Sequence, residues 1–219
     1  MKCVTDFKRA RQPEQIEQRR QDILRAAAAL MADKGFDQVS LNAIAREAGV
    51  AKSNVYRYFE GREEIFLTLL RQDWDQWLLQ MEQDIAHLEG SGEVEAFSAL
   101  IAKSIADSPR MCELVSVLAT VLEQNLSEQA LLTFKTESMQ LGLRMMSGVQ
   151  RVLPDLAADD LLQLGHTIIA LIAGLWPLGN PPPAVQNVMA RPELAPFQIQ
   201  FQPALQMALN LMLKGASKD

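Results

Sequence analysis

Apolar residues recur at three- and four-residue steps from one end of this chain to the other, and no stretch shows sustained alternation. Ile16, Ile23, Leu24, Ala27, Leu30 and Met31 set the spacing at the start. Ile65, Phe66, Leu69, Leu70, Trp74, Trp77, Leu78, Met81 and Ile85 continue it as one long stripe. A period near 3.6 belongs to a helix with one buried face, and a half-buried strand would show period 2. The spacing predicts an all-α protein. A chain of 219 residues, 48% of them apolar and 22% charged, can bury a core without staples, and it is neither a disordered nor a fibrous chain. Its two cysteines, Cys3 and Cys112, set up no disulfide framework and suit a reducing compartment. Two cysteines and two histidines so widely scattered predict no metal site, and no cofactor motif is found.

Glycines and caps divide the pattern into segments. A first helix is expected over 13–34, closed by Gly35. Ser40 can N-cap a second segment burying Leu41, Ile44, Ala45 and Ala48, which stops at Gly49. A third is expected over 52–59, with Val55 and Phe59 inward, and Gly61 breaks it. A fourth helix, opened by Glu63 and Glu64 where carboxylates suit the positive end of the macrodipole, is expected to run to the Gly90-Ser91-Gly92 turn. Further helices are expected over 94–107, 109–122, 127–153, 158–176 and 202–214. The segment 179–196, with prolines at 181, 182, 183, 192 and 196, reads as a loop. The most apolar stretch, 161–178, holds Gln163 and His166 and ends near Pro177, so it reads as a buried core helix and not as a membrane span. No apolar run follows Lys2, Lys8, Arg9 and Arg11, so no signal peptide is read and a cytoplasmic protein is expected.

Charge is unevenly divided. Residues 1–62 carry twelve Lys/Arg against eight Asp/Glu, a net of +4, and residues 63–219 carry nine against nineteen, a net of −10. The split predicts a basic module at 1–62 on an acidic body at 63–219. Within the basic part, GFDQVSLNAIAREAGVAKSNVYRYFEGR at 35–62 has helix-turn-helix spacing: Ala45 is small where two helices cross, Gly49 sits at the turn, and Val50 and Val55 plug the junction. Lys52, Ser53, Asn54 and Arg57 are expected on the outer face of the second helix, where the major groove displays base edges. Arg57 reads equally well as a solvated surface charge. Tyr56 and Tyr58 can offer hydroxyls to phosphates, or Tyr56 can serve packing alone. Arg19 and Arg20, with the Lys8, Arg9 and Arg11 arm, could reach a minor groove or belong to a frayed end.

The run VSLNAIAREAGVAKSNVYRYF followed by a GREEIF helix start resembles the N-terminal domain of the tetracycline-repressor (TetR) family, over about residues 16–70. The resemblance implies a three-helix DNA-binding domain joined by a long helix to a helical bundle that binds a ligand and dimerises. It implies a phosphate contact for Ser40, compatible with capping, and places Asn42 in the same DNA-binding set. It implies base-edge or adjacent backbone contacts for Lys52, Ser53 and Asn54, and backbone contacts for Tyr56 and Tyr58. Arg62 matches a position usually held by lysine that contacts phosphate, and Asn54 replaces the usual hydroxyl residue, which would allow a bidentate reading of adenine. The implied protein is a regulator, most simply a repressor, released from double-stranded operator DNA by a small-molecule effector.

In the body, Trp74, Trp77, Phe97, Met111, Cys112, Phe134, Met139 and Met145 are candidate liners of an effector pocket, because aromatic and thioether side chains adapt to irregular apolar ligands. Each could equally be plain core. His166 is either a ligand contact or a hydrogen-bonded core or interface residue. Few charges lie near these positions, which points to a lipophilic ligand. The segments around 161–176 and 203–213 are apolar over most of their circumference, so Leu161, Ile168, Ile172, Leu205, Leu209 and Met212 are expected to pack against a second copy. A two-fold dimer would read half-sites about one turn, roughly 34–36 Å, apart. A helical regulator answering to a protein partner without small-molecule input is the alternative. An enzyme is not expected: no phosphate loop, metal-spaced cluster or nucleophile elbow appears.

Overall fold

The computed structural model describes residues 13–216, and these are all-helical, with no strand among them. The chain divides into two compact units, Met1–Ile65 and Phe66–Asp219. The arm residues Lys2, Lys8, Arg9 and Arg11, and Cys3, lie outside the described residues.

In the first unit α1 spans Pro13–Lys34, α2 Leu41–Glu47 and α3 Lys52–Val55, and α4 (Arg62–Asp84) begins there. Gly35 takes φ 77° and donates to the Met31 carbonyl at 2.8 Å, closing α1. A 3₁₀ turn, Phe36–Gln38, then leads to Ser40. The α2–α3 turn is a Schellman closure: Val50 N donates to Ala45 O at 2.9 Å and Gly49 N to Arg46 O at 3.1 Å, with Gly49 at φ 65°. A side chain with a Cβ pays a steric penalty at that angle, which is why glycine sits there. Ile44, Ala45, Val55 and Phe59 are buried at the junction. The third helix is shorter than the 52–59 the sequence predicts. After Val55 the chain turns by i→i+3 bonds, Arg57 N to Asn54 O and Tyr58 N to Val55 O, which tuck Phe59 inward.

The second unit holds the rest of α4 with α5 (Val94–Ala106), α6 (Pro109–Ser116), α7 (Glu128–Val152), α8 (Ala158–Gly179), α9 (Pro183–Met189) and α10 (Phe201–Ala216). Pro109 opens α6 at a position where its missing N–H costs nothing, and Ser127 caps α7 by accepting from Ala130 N at 3.2 Å. Gly90 and Gly92, both at positive φ, donate to the carbonyls of Arg151 and Val152 and so close the end of α7. The α10 helix packs on α5 and α8, and α8 also packs on α6 and α7. Leu205, Leu209 and Leu213 recur at four-residue steps and are all buried. The end of α8 meets the start of α10 closely: a Cβ on Gly179 would lie 2.9 Å from Phe201 Cβ, and the Trp176 and Phe201 rings meet edge to face at 5.0 Å.

Three expectations change here. The proline-rich segment contains α9, because Pro182 and Pro183 start a helix as readily as they interrupt one. The α6 helix ends at Ser116, and the chain passes through a further 3₁₀ turn at Leu122–Asn125. The α8 helix runs on through Pro177 to Gly179 and is not buried all round. It is long and apolar enough by composition to cross a membrane, yet only 22% of its most apolar window is buried within the chain. Leu161, Leu164, Ile168 and Ile172 face inward, and Leu162, His166, Ala170, Gly174 and Leu178 stand exposed.

Candidate DNA-contacting surface and ligand cavity

The helix-turn-helix presents a coherent polar surface. Ser40 has extended backbone (φ −99°, ψ 157°), and its Oγ accepts from Ala43 N at 3.2 Å, while the residue remains exposed. Asn42, Lys52, Ser53, Asn54 and Arg57 are exposed, Tyr56 is 54% exposed and Tyr58 is half-buried. None of these eight is spent on the core, and the buried Val55 and Phe59 fix the turn that displays them.

Arg62 stands apart. Its guanidinium donates to the Val39 carbonyl at 2.6 Å and lies 4.3 Å over the Phe36 ring, with the side chain 20% exposed. The structure therefore turns inward a residue that family resemblance assigned to phosphate, and it ties the 3₁₀ turn to the start of α4. The fork of an arginine can do this where a lysine ammonium could not stack. Arg62→Ala is expected to lower thermal stability by ~1–3 kcal/mol through the loss of a charge-assisted hydrogen bond and a ring contact. The slope of log K against log salt should stay at the parent value, and a slope shallower by about 0.9 would instead make Arg62 a phosphate contact. Arg20 lies over the Phe59 ring at 4.9 Å and Arg19 pairs with Asp22 at 3.3 Å, so both are engaged on their own unit.

The second unit holds a cavity of about 460 Å³ that opens to solvent, walled by α4, α7 and α8 with residues of α5, α6 and the Leu122–Asn125 turn, and exposed residues such as Met139, Leu143 and His166 lie along its lining. Seven of the nine sequence candidates line it: Trp74, Trp77, Met111, Phe134, Met139, Met145 and His166. Phe97 does not; it borders a separate crevice of about 10 Å³ with Leu164 and Leu209. Cys112 does not either. It is fully buried, its Sγ donates to Ile105 O at 3.2 Å, and burial pushes the thiol up to about 12. Alkylation of Cys112 by iodoacetamide at pH 8, followed by peptide mass mapping, is expected to be ~10³-fold slower in the native chain than in denaturant. Native and denatured rates within tenfold of each other would show an open thiol.

Sequence reasoning missed several liners. Ile168 and Ile172, assigned to the dimer face, point into the cavity, and Glu123, Lys135 and Ser138 also line it. Polar residues on a helix read as solvated surface, and only the tertiary arrangement shows a cavity behind them. The dimer assignment needs a wider correction. Leu161, Ile168, Ile172, Leu205 and Leu209 are each no more than 7% exposed within their own chain, and Met212 is half-buried. Both helices carry large apolar residues on more than one side, so side-chain type alone does not mark which of them faces the chain's own bundle. On these two helices the large apolar side chains left exposed are Leu162, which also borders the cavity, and Leu178 on α8, and Met207 and Leu211 on α10.

Beside the cavity an open groove holds Asp73, Gln76 and Arg110, where Arg110 Nε donates to Asp73 at 2.8 Å and its Nη2 makes the second arm of the pair. Among the described residues no three His, Cys, Asp or Glu side chains converge as a metal site would need.

Comparison with known proteins places these features. Residues 23–69 match the family model described as bacterial regulatory proteins, tetR family, and residues 71–219 match the tetracyclin repressor-like C-terminal domain. The HTH-type transcriptional regulator BetI of Agrobacterium fabrum is 28% identical over 161 residues, 72% of this chain and 75% of that protein. The fatty acid metabolism regulator protein of Bacillus subtilis is 36% identical over 63 residues, covering 29% of this chain and only 32% of its own length. The crystal structure of the regulator FadR from Bacillus subtilis in complex with stearoyl-CoA shares the fold, with a TM-score of 0.52 at 21% identity over 88% of this chain and 96% of that one.

Proposed function

The chain belongs to the TetR family of bacterial transcriptional regulators, and from that premise we propose that it is a dimeric repressor released from a pseudo-palindromic operator by a small lipophilic molecule. The cavity carries this reading: about 460 Å³ of mostly apolar space, within the usual range for a small-molecule site, lies in the unit that does not hold the helix-turn-helix. The DNA-binding unit is assigned to residues 1–62 and the effector-binding and dimerising unit to residues 63–219. Lys52, Ser53 and Asn54 read base edges, with Arg57 beside them. Ser40, Asn42, Tyr56 and Tyr58 hold the backbone. The basic balance of 1–62 supports that assignment.

Dimerisation is assigned to the exposed faces of α8 and α10, where Leu162, Leu178, Met207 and Leu211 are between 51% and 66% exposed. A second copy would remove them from water and cover the α8 surface that the chain leaves bare. The work is done in the cytoplasm, on DNA. A relative named for fatty acid metabolism and a fold neighbour holding stearoyl-CoA support an effector with a large apolar part, which in stearoyl-CoA is the acyl chain and not the charged coenzyme. Release requires that the effector bind one conformation better than the other. Helix α4 supplies Trp74 and Trp77 to the cavity wall and begins at Arg62 in the DNA-binding unit, so it is the element assigned to carry the shift.

Selection of bound sequences from a random DNA pool, with the purified full chain at moderate salt, tests the reading. An enriched near-palindrome is expected, and it supplies the probe for finding molecules that release it. An unenriched pool, with only weak salt-sensitive binding, would overturn operator recognition.

A further inference from the structure

We infer that the molecule admitted to this cavity is uncharged and largely apolar, with one hydrogen-bonding group that Ser138 receives, and that Glu123 is the residue that turns anions away. The inference rests on the reading of the cavity as the effector site, and it goes further by naming the chemical class.

The charged side chains in the lining are Glu123 and Lys135, and they are paired with each other at 2.5 Å. The pair leaves the wall with no net charge. An anion entering the cavity must compete with the Glu123 carboxylate for Lys135 and then sit beside a carboxylate that has lost its partner. A cation meets the mirror-image problem at Lys135. Unpairing a charge next to an apolar cavity is costly, and rejection by a leftover like charge is a recurrent route to specificity. Glu123 is the less exposed partner, at 21% against 58% for Lys135, so the carboxylate has the weaker recourse to water.

Among the solvent-shielded side-chain groups of the lining, one is unmet. Ser138 lines the cavity from the middle of α7, its Oγ is shielded from solvent, and it has no hydrogen-bond partner. A serine inside a helix ordinarily returns its hydroxyl to the carbonyl four residues back, which here is that of Phe134. An unmet hydroxyl beside an apolar space is a cost that a ligand donor or acceptor removes. The buried Trp77 indole is already engaged: its Nε1 donates to Ser104 Oγ at 3.1 Å. His166 on α8 and Trp74 on α4 add an imidazole and an indole N–H to the lining, both on residues that keep contact with solvent; the rest of the surface is apolar, and Gly142, where an added Cβ would meet nothing within 4 Å, leaves the space open.

Two dyes separate the classes. N-phenyl-1-naphthylamine and 1-anilinonaphthalene-8-sulfonate share one ring skeleton and one N–H, and only the second carries a sulfonate. Binding to the full-length protein is read by dye fluorescence and by quenching of Trp74 and Trp77. The neutral dye is expected to bind at least about tenfold more tightly than the sulfonate. Gly142→Leu, which fills the cavity, should weaken the neutral dye by about tenfold or more, and Gly142→Ala should not, so loss by filling is told from loss by unfolding. Ser138→Ala should weaken the neutral dye about threefold or more. Glu123→Gln, which leaves Lys135 unpaired, should tighten the sulfonate about fivefold and leave the neutral dye unchanged. If the sulfonate binds the parent as tightly as the neutral dye and both are lost in Gly142→Leu, the assigned class is wrong and the effector cavity stands. If neither dye responds to Gly142→Leu, the cavity is no effector site and the inference falls with it.

Discussion

Replacing Met207 and Leu211 with glutamate is expected to convert the protein to a monomer and to weaken operator binding by at least ~100-fold. These two residues are 65% and 66% exposed and stand one turn apart on α10, on the side away from the buried Leu205, Leu209 and Leu213. On a two-fold interface each substitution appears twice, so four like charges would meet where apolar surface had been covered. A half-site bound by one protomer loses the linkage to the other half, and the shared affinity is lost with it. Sedimentation velocity and a mobility-shift titration read the two effects. A variant that stays dimeric would move the interface elsewhere. Leu205→Ala makes the contrast: it opens a cavity in the chain's own core and should cost ~2–5 kcal/mol of stability without a selective effect on assembly.

The second large effect is expected at the helix-turn-helix. Lys52→Ala and Asn54→Ala should each cost ~1–3 kcal/mol of operator binding and relax preference at one or two base pairs, because a lost base contact is lost only on the right sequence. Tyr58→Phe should weaken every sequence alike and leave preference intact. Selection from a random pool with each variant distinguishes the two patterns. Identical behaviour of all three would mean that the helix opening at Lys52 does not enter the groove. Ser40→Ala mixes both kinds of effect, since its Oγ also caps α2.

What could be read from the sequence follows how local each determinant is. The Ser40 cap and the Gly49 turn are fixed by a few neighbouring residues, and both stand where the sequence puts them. The end of α3 was less legible, because the i→i+3 turns from Asn54 to Tyr58 differ from a helix only in which carbonyl each N–H meets. The α9 helix did leave a signal, paired prolines at the position where a helix begins, but the number of prolines around it masked it. Aromatic and Met residues on α4 and α7 announced the cavity, and of its polar liners His166 was read from the sequence while Glu123, Lys135 and Ser138 were not. Glu123 and Lys135 meet across a loop, and nothing in their separate neighbourhoods records the meeting. The inward and outward sides of α8 and α10 were hard to read for a different reason: the exposed Leu162, Leu178, Met207 and Leu211 are as apolar as the buried Leu161, Ile168, Leu205 and Leu209, so side-chain type does not tell the two sides apart.

The side-chain pairs that join α4 to α7 have a consequence for how affinity is measured. Arg71 pairs with Glu137 at 3.0 Å, Arg144 with Asp75 and Glu82 at 2.8 and 3.0 Å, and Arg151 with Glu89 at 2.8 Å just beyond the end of α4. Their partners on α7 are spaced by seven residues, so they form one seam along the helix. All are partly exposed, and each alone is worth ~0–1 kcal/mol at most, falling as salt rises. The same two helices wall the cavity. On the proposed function, a salt series that counts phosphates at the operator also weakens the seam beside the cavity, so the slope measured with effector present is expected to differ from the slope without it. Counting is clean only with the effector absent, and the difference between the two series measures how far the seam and the cavity share one adjustment.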